Sequence, residues 1–338
     1  MVTLKQIADE AGVSLYTVSR VLSGRAREAR ISTAREQLVL KIAERLQFRP
    51  NSAARAMRSK RSRQIGVLIR NNRGDRYTHP LTFETILGIN EGLEAEGYVL
   101  SIVRIDDVQT DAAPGSRVFR ERLLDGMVII DSLPEHAEAR VEKLVPNIVW
   151  ADAGVWRDHW CVRRDEVDAG RRAAQALVDL GYRDIVWAGI RPNGRLTSYS
   201  RTERLEGVRS VTDAAGIKLR EIEVFDGRAD HAPAELDAVL RPHVGVIAYG
   251  VYQARAIQQL AATVRRVPGY DFGLVSCDGS RDIERFWPGL SRVGFDRFGL
   301  GVEAARLMIA LVERPEEPLS SVRIPGEWQP GNTAWGPT

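Results

Sequence analysis

Cysteine is scarce: Cys161 and Cys277 are the only two in 338 residues. They stand far apart and without CxxC spacing, which excludes a disulfide framework and a cysteine zinc site. A reducing cytosol is the expected home. Histidine is equally sparse. The five, at positions 79, 136, 159, 231 and 243, show no metal-ligand spacing, so no metal and no cofactor is expected. No apolar run approaches the roughly 18 residues of a membrane span, and the first residues lack the apolar core of a secretory signal. Membrane association and a secreted solute-binding protein are both disfavoured, and a cytoplasmic location is expected. Catalytic signatures are missing too. GxSxG, HExxH and the P-loop do not occur, and Gly299-Leu300-Gly301 is too short a fragment to mean dinucleotide binding. An enzyme is not expected; what remains is a binder or a switch.

Hydrophobic residues make up 44% of the chain and charged residues 28%, a globular balance. The length suggests two or three folded units. The net charge of +3 hides an asymmetry. Residues 1–64 carry 14 Lys/Arg and 5 Asp/Glu, net +9, whereas the rest carries 34 and 40, net −6. A basic module on an acidic body fits a nucleic-acid contact at one end only.

The basic end begins with Thr3–Leu22, TLKQIADEAGVSLYTVSRVL. Thr3 and Gln6 make a capping-box signature. Leu4, Ile7, Ala8 and Ala11 then recur at the spacing of a helix with one buried face. Gly12 suits the left-handed residue that ends a helix, and Ser14 suits the cap of the next. In that second helix Val18, Val21 and Leu22 point inward and Leu15, Tyr16, Ser19 and Arg20 outward. Two short helices joined by a tight turn make a helix-turn-helix, whose second helix enters the DNA major groove. Ser32 is placed to cap a third helix, with Leu38, Ile42 and Leu46 closing the core and Val39 beside them. Arg49-Pro50 ends it.

T-L-x-x-I-A at the start, A-G-V-S at the turn, T-V-S-R in the second helix and R-P-N at residues 49–51 together resemble the lactose-repressor (LacI/GalR) family of bacterial transcription regulators. The resemblance implies a helix-turn-helix domain over 1–48, a hinge over 49–63 and a core over 64–338. It implies contacts to a near-palindromic double-stranded operator from Thr3, Ser14, Leu15, Tyr16, Thr17, Ser19 and Arg20. From the hinge it adds Asn51, Ala54, Met57 and Arg58, with Met57 where the family usually has a minor-groove leucine. An apolar methionine there is expected to wedge between base pairs.

Beyond residue 64, short apolar runs alternate with helical stretches. The runs are Ile65–Ile69, Val99–Val103, Met127–Ile130, Ile148–Trp150, Ile185–Ala188, Val244–Ala248, Phe272–Ser276 and Arg292–Phe295; helical patterns include Phe83–Glu96, Asp168–Leu180 and Leu300–Val312. This predicts α/β architecture with parallel sheets. Glu96-Gly97-Tyr98 and Leu180-Gly181-Tyr182 form a weak internal repeat. The family resemblance extends over this region more loosely. It implies two periplasmic-binding-protein-like lobes, with chain crossings near 150–165 and 290–296 and a small-molecule cleft between them. SYSRTERLEG at 198–207 looks like the family's S-x-x-R-L-x-G, which puts Arg204 in the effector-contacting role, with Arg201 one turn earlier. Asp278 matches an aspartate that binds sugar hydroxyls, and Asp152 and Phe83 are further candidates.

At one position the pattern breaks: Tyr249-Gly250 stands where many members carry Asn-Asp, and Arg163, Arg164 and Arg195 add positive charge near the expected rim. A sugar or sugar derivative is implied, and an anionic one stays open because arginine grips carboxylate and phosphate bidentately. No leucine-heptad tail follows, so a homodimer is expected. A rival reading is a cytosolic solute-binding sensor whose basic N-terminus docks on a protein.

Overall fold

The computed structural model describes residues 2–49, 56, 61–70, 80–105, 117–121, 123–130, 132–133, 135–190, 198–224, 239–279 and 286–336. The chain divides into two compact units, Met1–Ser62 and Arg63–Thr338.

Among the described residues, the helices of the first unit include α1 (Leu4–Ala11), α2 (Leu15–Leu22) and α3 (Thr33–Arg45). Thr3 and Gln6 form the reciprocal capping box, and Gly12 takes the left-handed conformation, φ 62°, that lets its N–H bond Ala8 O. Ile7, Ala8, Val18, Val21, Ala26, Val39, Ile42 and Ala43 make the core, with Leu4, Leu22 and Leu46 packed against it. The burial departs from expectation at Leu38, which is exposed. The inward stripe of α3 is Val39, Ile42, Ala43 and Leu46. Val39 shares a face with Ile42 and Ala43 at i+3 and i+4, whereas Leu38 falls one residue outside that stripe. Ser32 sits at the N-cap without a side-chain cap bond. Of the expected hinge residues, Asn51, Ala54, Met57 and Arg58 lie outside the described residues.

The second unit is two α/β lobes. Its strands are β1 (Gln64–Arg70), β2 (Val99–Ile105), β3 (Gly126–Ile130), β4 (Ile148–Ala151), β5 (Cys161–Arg164), β6 (Asp184–Ile190), β7 (Arg220–Val224), β8 (Val244–Ala248), β9 (Gly273–Ser276), β10 (Ser291–Gly294), β11 (Val322–Ile324) and β12 (Glu327–Gln329). Its helices among the described residues include α4 (Pro80–Ala95), α5 (Arg117–Arg120), α6 (Glu135–Leu144), α7 (Glu166–Asp179), α8 (Tyr199–Ala214), α9 (Val251–Thr263) and α10 (Arg297–Glu313). One sheet runs β2-β1-β3-β4-β5-β11 and the other β7-β6-β8-β9-β10-β12. All neighbours are parallel except β10 and β12. The two strand orders are the same path taken twice.

The repeat reaches the corners. Gly97 (φ 73°) and Gly181 (φ 96°) both turn left-handed. Each is followed by a tyrosine whose N–H returns to a leucine carbonyl five residues back, Tyr98 to Leu93 and Tyr182 to Leu177. It also reaches the helix pairs. α4 packs on α10 with Gly88 and Gly301 at the crossing, and α7 packs on α8 with Gly170 and Gly207. A Cβ on any of the four would come within about 2 Å of a facing carbonyl oxygen. Glycine is required there by backbone approach.

Chain crossings between lobes fall at Arg164–Glu166, Gly294–Arg297 and Ile324–Glu327, the last not anticipated from sequence. The first two carry the helices across: α7 follows a strand of the first sheet yet packs in the second lobe, and α10 does the reverse. Each begins on an aspartate cap of the same geometry, Asp165 (φ −82°, ψ 87°) and Asp296 (φ −77°, ψ 83°). All eight apolar runs fall on strands, with Phe272 and Phe295 one residue outside theirs. The apolar runs leave out β5, β7, β11 and β12. β5 ends in two arginines, β7 is a half-exposed edge, and the other two span only three residues each.

Candidate functional site

On the basic unit, α2 presents the candidate reading face. Ser14 caps it, its Oγ accepting from Thr17 N–H at 3.1 Å and lying 2.9 Å from Thr17 Oγ1. Leu15 and Tyr16 then emerge exposed, at 52% and 59%. The Arg20 guanidinium lies 5.2 Å from the Tyr16 ring centroid, so arginine and aromatic ring form one outward ledge. Ser19 is half-buried, and Thr3 caps α1. Two exposed large side chains on an eight-residue helix have no folding role. They are available to a partner.

In the body, the C-terminal ends of the strands converge on a charged cluster. Asp152 follows β4, with φ 54°, and Asp278 lies two residues past β9. Arg164 ends β5, Glu166 opens α7, Arg204 lies in α8 and Arg297 opens α10. Arg204 donates to both oxygens of Glu166, at 2.6 and 2.8 Å, to Asp278 at 3.2 Å and to Tyr249 O. Arg164 meets Asp152 at 2.9 Å, Glu166 at 2.6 Å and Asp278 at 3.4 Å. Arg297 meets Asp278 at 2.9 Å and Asp152 at 3.3 Å. Tyr199 donates to Asp152 at 2.6 Å. The three guanidiniums face three carboxylates, so the cluster is charge-balanced.

The electrostatics follow from that balance. Burial pushes the Asp278 carboxyl upward, but Arg297, Arg204 and Arg164 overcome it and hold it well below the usual carboxylate range. Asp152 is lowered in the same way: Arg164, Arg297 and the Tyr199 hydroxyl outweigh burial. Burial and the neighbouring Asp152 charge raise the Tyr199 phenol well above its ordinary value. Arg164 and Arg204 are held protonated by their carboxylates against the opposing effect of burial. Burial pushes the Cys277 thiol to about 12, an inert group beside the cluster.

A second layer borders it. The Arg163 guanidinium lies between the Trp156 and Tyr199 rings, 4.5 and 4.7 Å from their centroids, and donates to Glu203 at 2.6 Å. Arg323 lies 4.8 Å from the Trp156 centroid and 3.6 Å from Glu203. Burial raises the Glu203 carboxyl, against the pull of Arg163 and Arg323.

Of the cleft residues expected from sequence, the fold brings Asp152, Arg204, Tyr249 and Asp278 together. Tyr249 places its ring 4.6 Å from the Arg204 guanidinium and its hydroxyl 2.6 Å from Ser200. Two do not join. Arg201 pairs with Glu223 of β7 at 3.5 Å, and Phe83 is exposed on α4. Arg163 and Arg164 are not free rim charges: both are buried in ion pairs, because carboxylates distant in sequence meet them. Arg195 lies outside the described residues. Glu166, Tyr199 and Arg297 were missed. A signal for two of them was present, since Asp165–Gly170 and Asp296–Gly301 share the spacing D-x4-G at both helix-carrying crossings. Among the described residues no group of three His, Cys, Asp or Glu is placed to hold a metal ion, and no helix is long and apolar enough to cross a membrane.

Fold and site define a class: a helix-turn-helix module joined to a two-lobed body of the periplasmic-binding-protein kind. Residues 3–51 match the bacterial regulatory proteins of the lacI family, and residues 174–334 match the periplasmic binding protein-like domain. The HTH-type transcriptional regulator CelR of Thermobifida fusca is 27% identical over 328 residues, covering 91% of each chain. The Lac repressor dimer bound to operator and the anti-inducer ONPF has the same fold, with a TM-score of 0.76 at 20% identity and 99% of each chain covered. A CelR–cellobiose complex superposes with a TM-score of 0.62 at 20% identity, over 99% of this chain and 100% of that one. The chain belongs to the LacI family of transcription regulators.

Proposed function

We propose that this regulator is a repressor that binds a near-palindromic operator as a homodimer and whose operator affinity is set by a small molecule held between the lobes. The observation that carries the DNA reading is the ledge of Leu15, Tyr16 and Arg20 on a capped helix that needs none of them for its core. In a helix-turn-helix, side chains at the start of the second helix meet base edges, and an arginine suits guanine or phosphate. Thr3, Ser14, Thr17 and Ser19 supply hydroxyls for phosphate contacts, and Asn51, Ala54, Met57 and Arg58 follow as the hinge contacts.

The homodimer reading is supported by an apolar face on the first lobe. Phe83 and Leu87 on α4, and Phe298 and Val302 on α10, are exposed at helical spacing where the two helices cross. Edge strand β2 adds exposed Val99 and Ile102. Contiguous apolar surface of this kind marks an interface. Phe83 fits this face better than the cleft.

The effector is a sugar or sugar derivative. CelR, a relative, is solved with cellobiose. The charge-balanced cluster supports a neutral polyol over an anion, since an added negative charge would find no surplus of arginine to meet it. Asp152, Arg204, Tyr249 and Asp278 are the groups it would meet. Effector and operator then oppose each other reciprocally, by about 1–3 kcal/mol. The test is binding of a duplex pool across salt. Operator binding falls steeply as salt rises, through counterion release. A salt-insensitive or absent DNA interaction would instead favour the sensor that docks on a protein. Neutral sugars against sugar phosphates in a ligand titration decide the effector class, with tight phosphate binding contradicting the neutral polyol.

A further inference from the structure

Asp152 and Asp278 occupy equivalent places in the repeat: each follows the fourth strand of its lobe's sheet, and they face each other across the junction. Arg164 and Arg297 each stand beside the aspartate cap of a helix-carrying crossing, Arg164 one residue before Asp165 and Arg297 one residue after Asp296. The four close a ring in which every arginine meets both aspartates. Arg164 reaches Asp152 at 2.9 Å and Asp278 at 3.4 Å, and Arg297 reaches Asp278 at 2.9 Å and Asp152 at 3.3 Å.

Among the described residues the Arg297 side chain has no other hydrogen bond or ion pair. Its Nη1 goes to the first lobe's aspartate and its Nη2 to the second lobe's, while Nε is buried without a hydrogen-bond partner. The side chain is only 4% exposed. A guanidinium held in this way crosslinks two carboxylates from different lobes, which is what a ligand lying between the lobes would have to do. We infer that Arg297 is an internal ligand: it holds the lobes closed with the cleft empty, and an effector acts by displacing it from Asp152 and Asp278. This deepens the regulatory reading of the cleft and rests on it.

The geometry has a consequence for occupancy. A polyol reaching either aspartate must take hydrogen bonds from a buried charged donor already in place. Binding therefore opens or rearranges the lobes where in an unbridged cleft it would close them. The bridge needs two separated N–H donors in one plane, which guanidinium has and ammonium lacks.

The test uses the full chain without DNA and reads lobe closure by small-angle X-ray scattering. In Arg297→Ala the radius of gyration is expected to rise, and methylguanidinium at non-denaturing concentration is expected to restore the parent value by refilling the site. Arg297→Lys keeps the charge and is expected to open as well, without rescue; it carries the test should the alanine variant not fold. Parent-like scattering from the Lys variant, or an open Ala variant that methylguanidinium leaves unchanged, would overturn the inference. Operator affinity, measured in parallel, is expected to change by about 5-fold or more in Arg297→Lys. A parent chain that binds no operator would sink the regulator reading while leaving the scattering result to judge the bridge.

Discussion

Arg204 is 1% exposed, and both oxygens of the equally buried Glu166 accept from it. Removing Glu166 leaves three buried guanidiniums facing two carboxylates in low dielectric. Glu166→Ala is therefore expected to lower stability by about 3–5 kcal/mol, read as a fall in the urea midpoint. A Glu166→Leu, Arg204→Met double variant should recover most of that, because neither charge is then left alone. Asp278 gives the pH prediction. Its folded-state pKa lies below the ordinary value, so its stabilisation is complete above the unfolded value and is lost as pH falls through the lowered one. The melting-temperature gap between parent and Asp278→Asn is expected to stay constant from about pH 8 to 5 and to narrow only below about pH 4. A gap that shrinks near neutrality would show that Asp278 is not held by the three arginines. Arg204 and Asp278 were visible in the sequence because they sit in short matched motifs. Glu166, Tyr199 and Arg297 were not, because the contacts Glu166–Arg204, Tyr199–Asp152 and Arg297–Asp278 join residues far apart in the chain, and only the fold brings them together.

At the scale of elements, the helix pairs of the two lobes are set by glycine. A Cβ at Gly301 would stand 2.1 Å from Thr85 O, and one at Gly207 2.0 Å from Val167 O. Neither obstacle is a flexible side chain, so the helices would have to separate. Gly301→Ala is expected to destabilise the body by about 1–3 kcal/mol by overpacking, measured by chemical denaturation. Gly216, with φ 64° and open space around it, is a control whose cost is conformational alone. Apolar runs and helix periodicity made most strands and helices legible. The short strands escaped because a three-residue strand carries no alternation to read. The glycine crossings escaped because a glycine within a helical pattern is, by sequence, only a weak residue for a helix. The Leu38 error has the same character: one residue of drift moves a leucine from a buried stripe to an open face.

Taken whole, the chain is one folding plan run twice with its two crossing helices exchanged, preceded by a small basic reader. The equal strand orders, the paired Gly-Tyr corners and the paired D-x4-G caps all state that plan. The sequence showed the first two helices of the reader almost completely, since their caps and inward positions lie within twenty residues. Of the body it showed the strand-helix alternation and one repeat, but not the cluster at the junction, which exists only when both lobes are folded.

The measurement that bears most directly on the account is selection of bound sequences from a random DNA pool by the full chain at physiological salt. The expected result is a near-palindrome with half-sites about one helical turn apart. A variant carrying Leu15 and Tyr16 substitutions should enrich a different half-site with the same spacing. Enrichment of a single unpaired site, or of the same sequence by parent and variant, would contradict the account of a dimeric regulator that reads its operator through the exposed ledge of α2.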